Sequence, residues 1–477
     1  MGTENRIAPR ESSHAIGFRS VTPEQLERTL TVEGTIPSWL TGTYVVNGPA
    51  KFETRERSLS HWFDGFGMLH RFRFDGDRVH YRRRFVESGA YTHARDTETL
   101  GYREFATDPS ESCFDRAVSL LAPPSVTDNA NGPLARYGDR YVVTSESPGA
   151  IEFDPETLST VGQITFEDDL VGQVSCAHPQ YDPIADETIT FLTRIARQSS
   201  YTVVRIADGK REPIASIAVD RPCYMHSFAL TPTYVVLVEF PYAMNPFTFR
   251  LSDRPFIEQF DWRPERGTRL LVFDRSSGRL LAKPRMDAFF ALHHVNAFER
   301  PGELLLDLLT YPTPKIVEAF SLDSIRNDRM SIPSGRLRRV RLTIDDWLVS
   351  SRTLVASPLE WPQIVGHRRT HPYQFVYGVG KSDPSSFYDR LLKLETTGRT
   401  TCWHEPATYP GEPTVVPAPT PASEDDGVVL SLVLDGTDER SFVLVLDGET
   451  FTELARVPLD HPIPYPRHGQ YYSTDEC

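Results

Sequence analysis

The stretch MHSFALTPTYVVLVE, residues 225–239, decides the architecture. Its second half, Tyr234 to Val238, is rich in β-branched and aromatic residues, has the length of a strand, and follows the turn-forming Thr231-Pro232-Thr233. Its first half places His226 among Met225, Ser227 and Phe228, just ahead of that strand. The same texture extends in both directions. Thr43–Val46, Tyr141–Thr144, Thr188–Phe191, Leu304–Leu309, Val428–Leu434 and Ser441–Leu446 are strand-length runs bounded by Gly, Pro, Asp or Asn, and 38 Pro and 29 Gly punctuate the chain. Helical periodicity is scarce and predicts only short helices near 112–121 and 315–322. Many short strands without alternating helices specify an all-β sandwich, barrel or propeller, and over 477 residues a propeller is the economical solution. No repeat of WD type is visible. Two stretches, 240–265 and the Pro-rich 410–426, read as insertions. The polar residues 1–20 read as a flexible arm and 21–477 as a single domain.

Net charge is -14, which argues against nucleic acid as a partner, because phosphate neutralisation needs an excess of Lys and Arg. Only six of the 51 basic residues are Lys, a bias that suits either a high-salt cytoplasm or Arg-rich coding. The five Cys are odd in number, widely spaced and free of CxxC, which predicts free thiols in a reducing compartment and no zinc finger. The first residues hold no apolar run of signal-peptide length, and no stretch of membrane-spanning length is apolar. These features predict a cytoplasmic protein with no obligate protein partner.

Several catalytic signatures fail. Gly378-Val379-Gly380-Lys381-Ser382 ends like a phosphate-binding loop, but Phe375 stands where the first glycine is required, so the backbone cannot cradle phosphates. There is no HExxH, GxSxG or GxGxxG.

Four of the 14 histidines keep unusual company. His178 stands in Cys176-Ala177-His178-Pro179, and His226 precedes a strand. His293 lies in Leu292-His293-His294-Val295, and His468-Gly469 sits among aromatics. Their spacing is too long for a helical or zinc-finger site but suits a propeller, in which each blade sends its inner strand past a common axis. One His per blade, with more than one blade skipped before His468, would gather four imidazoles there. Four neutral imidazoles suit Fe, Cu, Ni or Zn. Adjacent strand residues point to opposite faces, so His293 and His294 cannot both serve.

In these residues the sequence resembles the carotenoid cleavage oxygenase family, especially its animal-type branch of β-carotene oxygenases and the related retinoid isomerohydrolase. The similarity runs from about Gly34 to Tyr472. It is carried by Asn47-Gly48-Pro49, HWFDGFGMLHRF (61–72), TSE (144–146), AHP with YDP (177–183), MHSFALTPTYVVLVE (225–239), HHVNAFE (293–299), LEWPQI (359–364), YPGEP (409–413), EDDGVVLS (424–431), FTELAR (451–456) and HG (468–469). The shared order of these blocks is the specific signal.

The resemblance implies a seven-bladed β-propeller with a cap of short helices and loops over the metal-bearing face, and one Fe(2+) per chain on its axis. It assigns the iron ligands to His178, His226, His293 and His468, and orienting carboxylates to Glu146, Glu360 and Glu412. It places Phe63, Phe105, Trp361 and Gly132 along a hydrophobic tunnel for a polyene. It implies a carotenoid or apocarotenoid substrate cleaved by O2 to two aldehydes, with central 15,15' cleavage of β-carotene to retinal as the first expectation and eccentric or apocarotenoid-specific cleavage as the alternative. Retinoid isomerisation ranks lower, and the rival of another class is a non-catalytic lipid-binding propeller. Peripheral membrane contact is also implied, with 240–265 and 114–121 as the candidate entrance, and the chain reads as a microbial member. Two positions depart from the family pattern. Arg467 stands where an apolar residue is usual, which puts the packing there in doubt. Gly132 replaces a Thr or Val whose methyl would shield the metal, which predicts a more solvated site.

Overall fold

A computed structural model describes residues 13–22, 25–109, 127–182, 184–249, 252, 254–327 and 330–474. The strands predicted from sequence all form, and they build seven antiparallel sheets arranged as the blades of a propeller. Blades pack face to face, so their middle strands are buried on both sides. That is why Gly427–Asp435 reads VVLSLVL without alternation and is buried throughout its centre. Strands nearer the rim face water on one side and alternate, as Lys210–Val219 does.

The first blade runs, from rim to axis, Leu26–Thr31, Arg78–Phe85, Phe66–Asp75, Gly42–Lys51 and His468–Ser473. Its innermost strand thus arrives from the far end of the chain, with His468 paired opposite Asn47. The ring is fastened a second time at the rim of the last blade, where Glu33–Gly34 pairs with Glu453–Pro458. Blade two comprises Leu134–Tyr137, Arg140–Val143, Ile151–Phe153 and Thr160–Gln163. Blade three opens with a broken inner strand, Val174–Ser175 and Gln180–Asp182, both pairing with Glu187–Arg194. Blade four opens with Ala229–Leu230, blade five with Phe290–Arg300 and blade six with Glu360–Gln363. Blade seven again has a broken inner strand, Thr408–Pro410 and Thr414–Pro417, both paired with Gly427–Asp435.

This last pairing corrects the reading of 410–426 as an insertion. Its first part is the axial strand of a blade, interrupted at Gly411-Glu412-Pro413. The stretch 240–265 is an excursion from blade four, carrying the two-stranded pairing of Tyr242–Met244 with Phe260–Trp262. The expected arm at 1–20 is partly outside the described residues, but its end is packed. Ser13–Phe18 forms a turn of 3-10 helix with His14 to Phe18 buried, and His14 Nε2 lies 2.8 Å from the Ile325 carbonyl.

Short helices and loops cover one face. They include Gly89–Thr97, Lys315–Ala319 and Leu322–Ile325. The single helix expected at 315–322 is two, because Ser321 leaves helical geometry and caps the second by accepting from Ser324 N at 3.3 Å. The helix expected at 112–121 lies outside the described residues. The block HWFDG at 61–65 belongs to this cap. Buried Asp64 accepts from His61 N at 3.0 Å, Ala106 N at 2.8 Å and the Thr107 hydroxyl at 2.5 Å, tying 61–64 to the segment that carries Phe105.

Candidate metal centre and its cavity

Four blades each bring one histidine to the axis. His178 sits in the break of blade three's inner strand, His226 just before Ala229–Leu230 of blade four, His293 in Phe290–Arg300 and His468 at the start of the closing strand. Blades six and seven intervene before His468. The ring centroid of His178 lies 4.8 Å from that of His226, 5.1 Å from His293 and 5.1 Å from His468. The Nε2 atoms of His178 and His226 are 3.2 Å apart, and donor atoms of His178, His226 and His293 lie within 4.8 Å of one another.

The carboxylates sit behind the rings. Glu146 Oε1 is 2.6 Å from His226 Nδ1, and Glu360 Oε1 is 2.7 Å from His293 Nδ1. Glu412 Oε2 is 3.4 Å from His468 Nδ1 and accepts from Gly469 N at 3.0 Å. An Nδ1–H given to a carboxylate leaves Nε2 without a proton, its lone pair facing the cluster. Blades six and seven, which contribute no histidine, supply Glu360 and Glu412.

Local irregularities aim these groups. Register shifts bracket His294, so His293 turns to the axis while His294 turns away to Ser227 Oγ at 2.7 Å. In blade six the register shifts between Glu360 and Gln363, and Trp361 adopts a left-handed φ of 46°. That conformation is costly for a bulky residue and marks a site held by its surroundings. It lets Glu360 face His293.

Burial and mutual proximity keep the imidazoles of His178, His226 and His468 neutral, the form that binds a metal. Burial, then the other three histidines, holds His178 well below its ordinary range. Burial also lowers His226, against the pull of Glu146, and holds His468 well down with Arg467 adding to the effect. Burial pushes Glu412 up to about 7, and a cation on the cluster would draw it back toward the ionised form. The donor set therefore fits a borderline divalent ion. Two imidazole nitrogens on one ion at roughly 2.1 Å sit about 3.0 Å apart at a right angle and about 3.4 Å apart tetrahedrally, and the pair at the centre fits either.

Beside the histidines opens a cavity of about 1160 Å³, part of it exposed to solvent. Phe63, Phe105, Phe249 and Phe256 form its apolar wall, and His226, His468, Glu146 and Gly132 line it too. Trp361, expected there, is not among the lining residues. It packs into an aromatic cluster with Trp62 at 5.5 Å, Tyr388 at 4.8 Å and Phe320 at 6.4 Å. The left-handed turn that frees Glu360 sends its neighbour into the core.

The expectation at Gly132 also changes. A Cβ there would collide with the Thr144 carbonyl oxygen, because Gly132 N donates to that oxygen at 3.1 Å and Thr144 N donates to Pro133 O at 2.9 Å. Glycine is required by close backbone approach, and the side chain that stands on this wall is Arg467. Burial pushes Arg467 down to about 10, still protonated at neutral pH.

Three further contacts hold the carboxylates. The Tyr224 hydroxyl donates to Glu146, the Tyr311 hydroxyl to Glu360 at 2.6 Å and Gln363 Nε2 to Glu412 at 2.6 Å. Only Tyr224 was findable, since it lies two residues before His226.

A family model described as RPE65, retinal pigment epithelial membrane protein, matches residues 18–473. Carotenoid cleavage dioxygenase 8 homolog A, chloroplastic, of Oryza sativa subsp. japonica is 32% identical over 96% of this chain and 87% of its own length. The mitochondrial carotenoid-cleaving dioxygenase of Mustela putorius furo is 30% identical over 99% of this chain and 100% of its own. Among solved structures, a variant of the Synechocystis apocarotenoid oxygenase superposes with a TM-score of 0.86 at 26% identity, covering 97% of this chain and 98% of that one. A cobalt-substituted form of the same oxygenase matches equally, with a TM-score of 0.86 at 26% identity over 97% of this chain and 98% of that one.

Proposed function

Because the chain belongs to the RPE65 and carotenoid cleavage oxygenase family and is a dioxygenase of it, we propose that it holds one Fe(2+) on His178, His226, His293 and His468 and cleaves a C=C bond of a carotenoid or apocarotenoid. The observation that carries this reading is the convergence of imidazole Nε2 atoms, their Nδ1 atoms tied to buried carboxylates, at the wall of an aromatic cavity. That a similar solved oxygenase is described as cobalt-substituted supports a metal-binding role for this fold.

Bound there, iron supplies the activation of O2, whose two atoms end in two aldehydes, one on each former alkene carbon. The chain's own residues do the rest by placement. Glu146, Glu360 and Glu412 fix ring orientation and tautomer. Phe63 and Phe105 hold the polyene against the centre, which fixes the reacting bond and excludes water. No proton needs to be shuttled by a side chain in the overall conversion.

Central 15,15' cleavage of β-carotene to retinal is the first substrate reading, with eccentric or apocarotenoid cleavage as the alternative. Peripheral attachment to a membrane, through the blade-four excursion with its exposed Phe247, is part of the same proposal. Among the described residues no helix is long and apolar enough to cross a membrane.

The test is incubation of purified protein with β-carotene and with an apocarotenal under 18O2, with metal analysis alongside. About one iron per chain and labelled aldehydes are expected. A metal-free protein that binds carotenoid without forming aldehydes would favour the non-catalytic propeller.

A further inference from the structure

Arg467 differs from the other charged groups around the histidines. It is 4% exposed, lines the cavity and precedes His468 in the chain. Its guanidinium lies 4.2 Å over the Phe63 ring. One terminal nitrogen donates to Asn131 O at 2.9 Å and to Asn131 Oδ1 at 2.7 Å, both neutral acceptors. Its Nε is sealed off without a partner among the described residues, whereas the second terminal nitrogen, which no hydrogen bond engages, keeps accessible surface where the residue lines the cavity. Glu146, Glu412 and Asp64 act on it through space and none of them hydrogen-bonds it.

A buried cation that keeps an unused N–H is expensive unless something in the cavity accepts from it. Water can do so while the cavity is wet. A hydrocarbon polyene would expel that water and offer no acceptor. A polyene bearing a carbonyl or carboxylate would displace the water and restore the bond, and a guanidinium is well shaped for either oxygen.

Building on the oxygenase reading but favouring its apocarotenoid alternative over β-carotene, we propose that Arg467 is a specificity-determining residue that binds a substrate oxygen, so that the cavity selects an oxygenated polyene, an apocarotenoid aldehyde or acid, over an unsubstituted hydrocarbon carotene.

The experiment measures dissociation constants by quenching of tryptophan fluorescence, and kcat/KM by aldehyde formation, on iron-loaded protein. The probes are an apocarotenal, its carboxylic acid and the deoxygenated hydrocarbon of the same chain length. Wild type is expected to bind the oxygenated probes about 10- to 100-fold more tightly than the hydrocarbon. Arg467→Leu should bring that ratio close to one, and Arg467→Lys should keep part of it. Equal affinity of wild type for all three probes overturns the proposal without any variant. An unchanged ratio in Arg467→Leu with wild-type iron content overturns it too. Should the Leu variant fail to fold, the wild-type series and Arg467→Lys still decide. Binding and turnover separate the two readings. Oxygen-dependent binding without aldehydes would sink the oxygenase and leave the role of Arg467 standing, whereas cleavage with equal affinities does the reverse.

Discussion

At the scale of single residues, the site is a set of imidazoles whose tautomers are set from behind. Glu360 is 1% exposed and bonds both His293 and Tyr311, so Glu360→Gln should keep the fold while lowering metal affinity about 10- to 100-fold, as read by chelator competition. His226→Ala should remove the ion and aldehyde formation together, and metal analysis beside product assay checks this. Gly132→Ala should destabilise the protein by about 1–3 kcal/mol in denaturant unfolding, because the added methyl meets the Thr144 carbonyl. The four histidines drew notice through their neighbours and spacing, whereas the three glutamates were reached only through the family resemblance. Tyr311 and Gln363 were not legible, since a hydrogen-bond partner is chosen by which blade stands next, and that is a long-range fact. Trp361, which the resemblance placed on the tunnel wall, has a left-handed φ and packs with Trp62, Phe320 and Tyr388.

At the scale of elements, blade five carries a buried ion pair between two adjacent strands, and a tyrosine at the edge of blade six hydrogen-bonds it. Asp307 of Glu303–Tyr311 is fully buried, pairs with Arg339 at 2.7 Å and accepts from the Tyr373 hydroxyl at 2.5 Å. Breaking it from one side strands a charge, so Arg339→Leu should cost about 3–5 kcal/mol in denaturant unfolding. In the blade-four excursion, Phe247 is 66% exposed at the tip, and Phe247→Asp should reduce co-sedimentation with phospholipid vesicles while leaving melting temperature unchanged. Central strands such as Val428–Leu434 were readable because burial on both faces makes them continuously apolar. The axial strands were not. Val174–Ser175, Ala229–Leu230 and Thr408–Pro410 are two or three residues long, too short to show a period, and so the Pro-rich start of 410–426 passed for an insertion.

At the scale of the whole molecule, many buried groups depend on proton uptake. Among the described residues, burial lowers seven histidines, 61, 70, 178, 226, 294, 461 and 468, with His61 at about 4 and His294 at about 3. It raises four carboxylates, Asp64 to about 6, Glu412 to about 7, and Glu104 and Glu239. Below about pH 6.5 the unfolded chain protonates its histidines while the folded one does not, so stability falls with acidification. The raised carboxylates act in the opposite sense, and seven against four decides the direction. The melting temperature of metal-free protein should therefore be lower at pH 5 than at pH 7, which calorimetry checks. The propeller itself was legible from strand length and histidine spacing, whereas its manner of closure was not, because no local pattern announces that His468 pairs beside Asn47. That closure has a consequence for biosynthesis. His468 is translated after every residue of the other six blades, and its strand joins a sheet begun more than 400 residues earlier. A chain emerging from the ribosome can bring together three of the imidazoles but not the fourth, so an ion held by all four would load late and would also latch the finished ring.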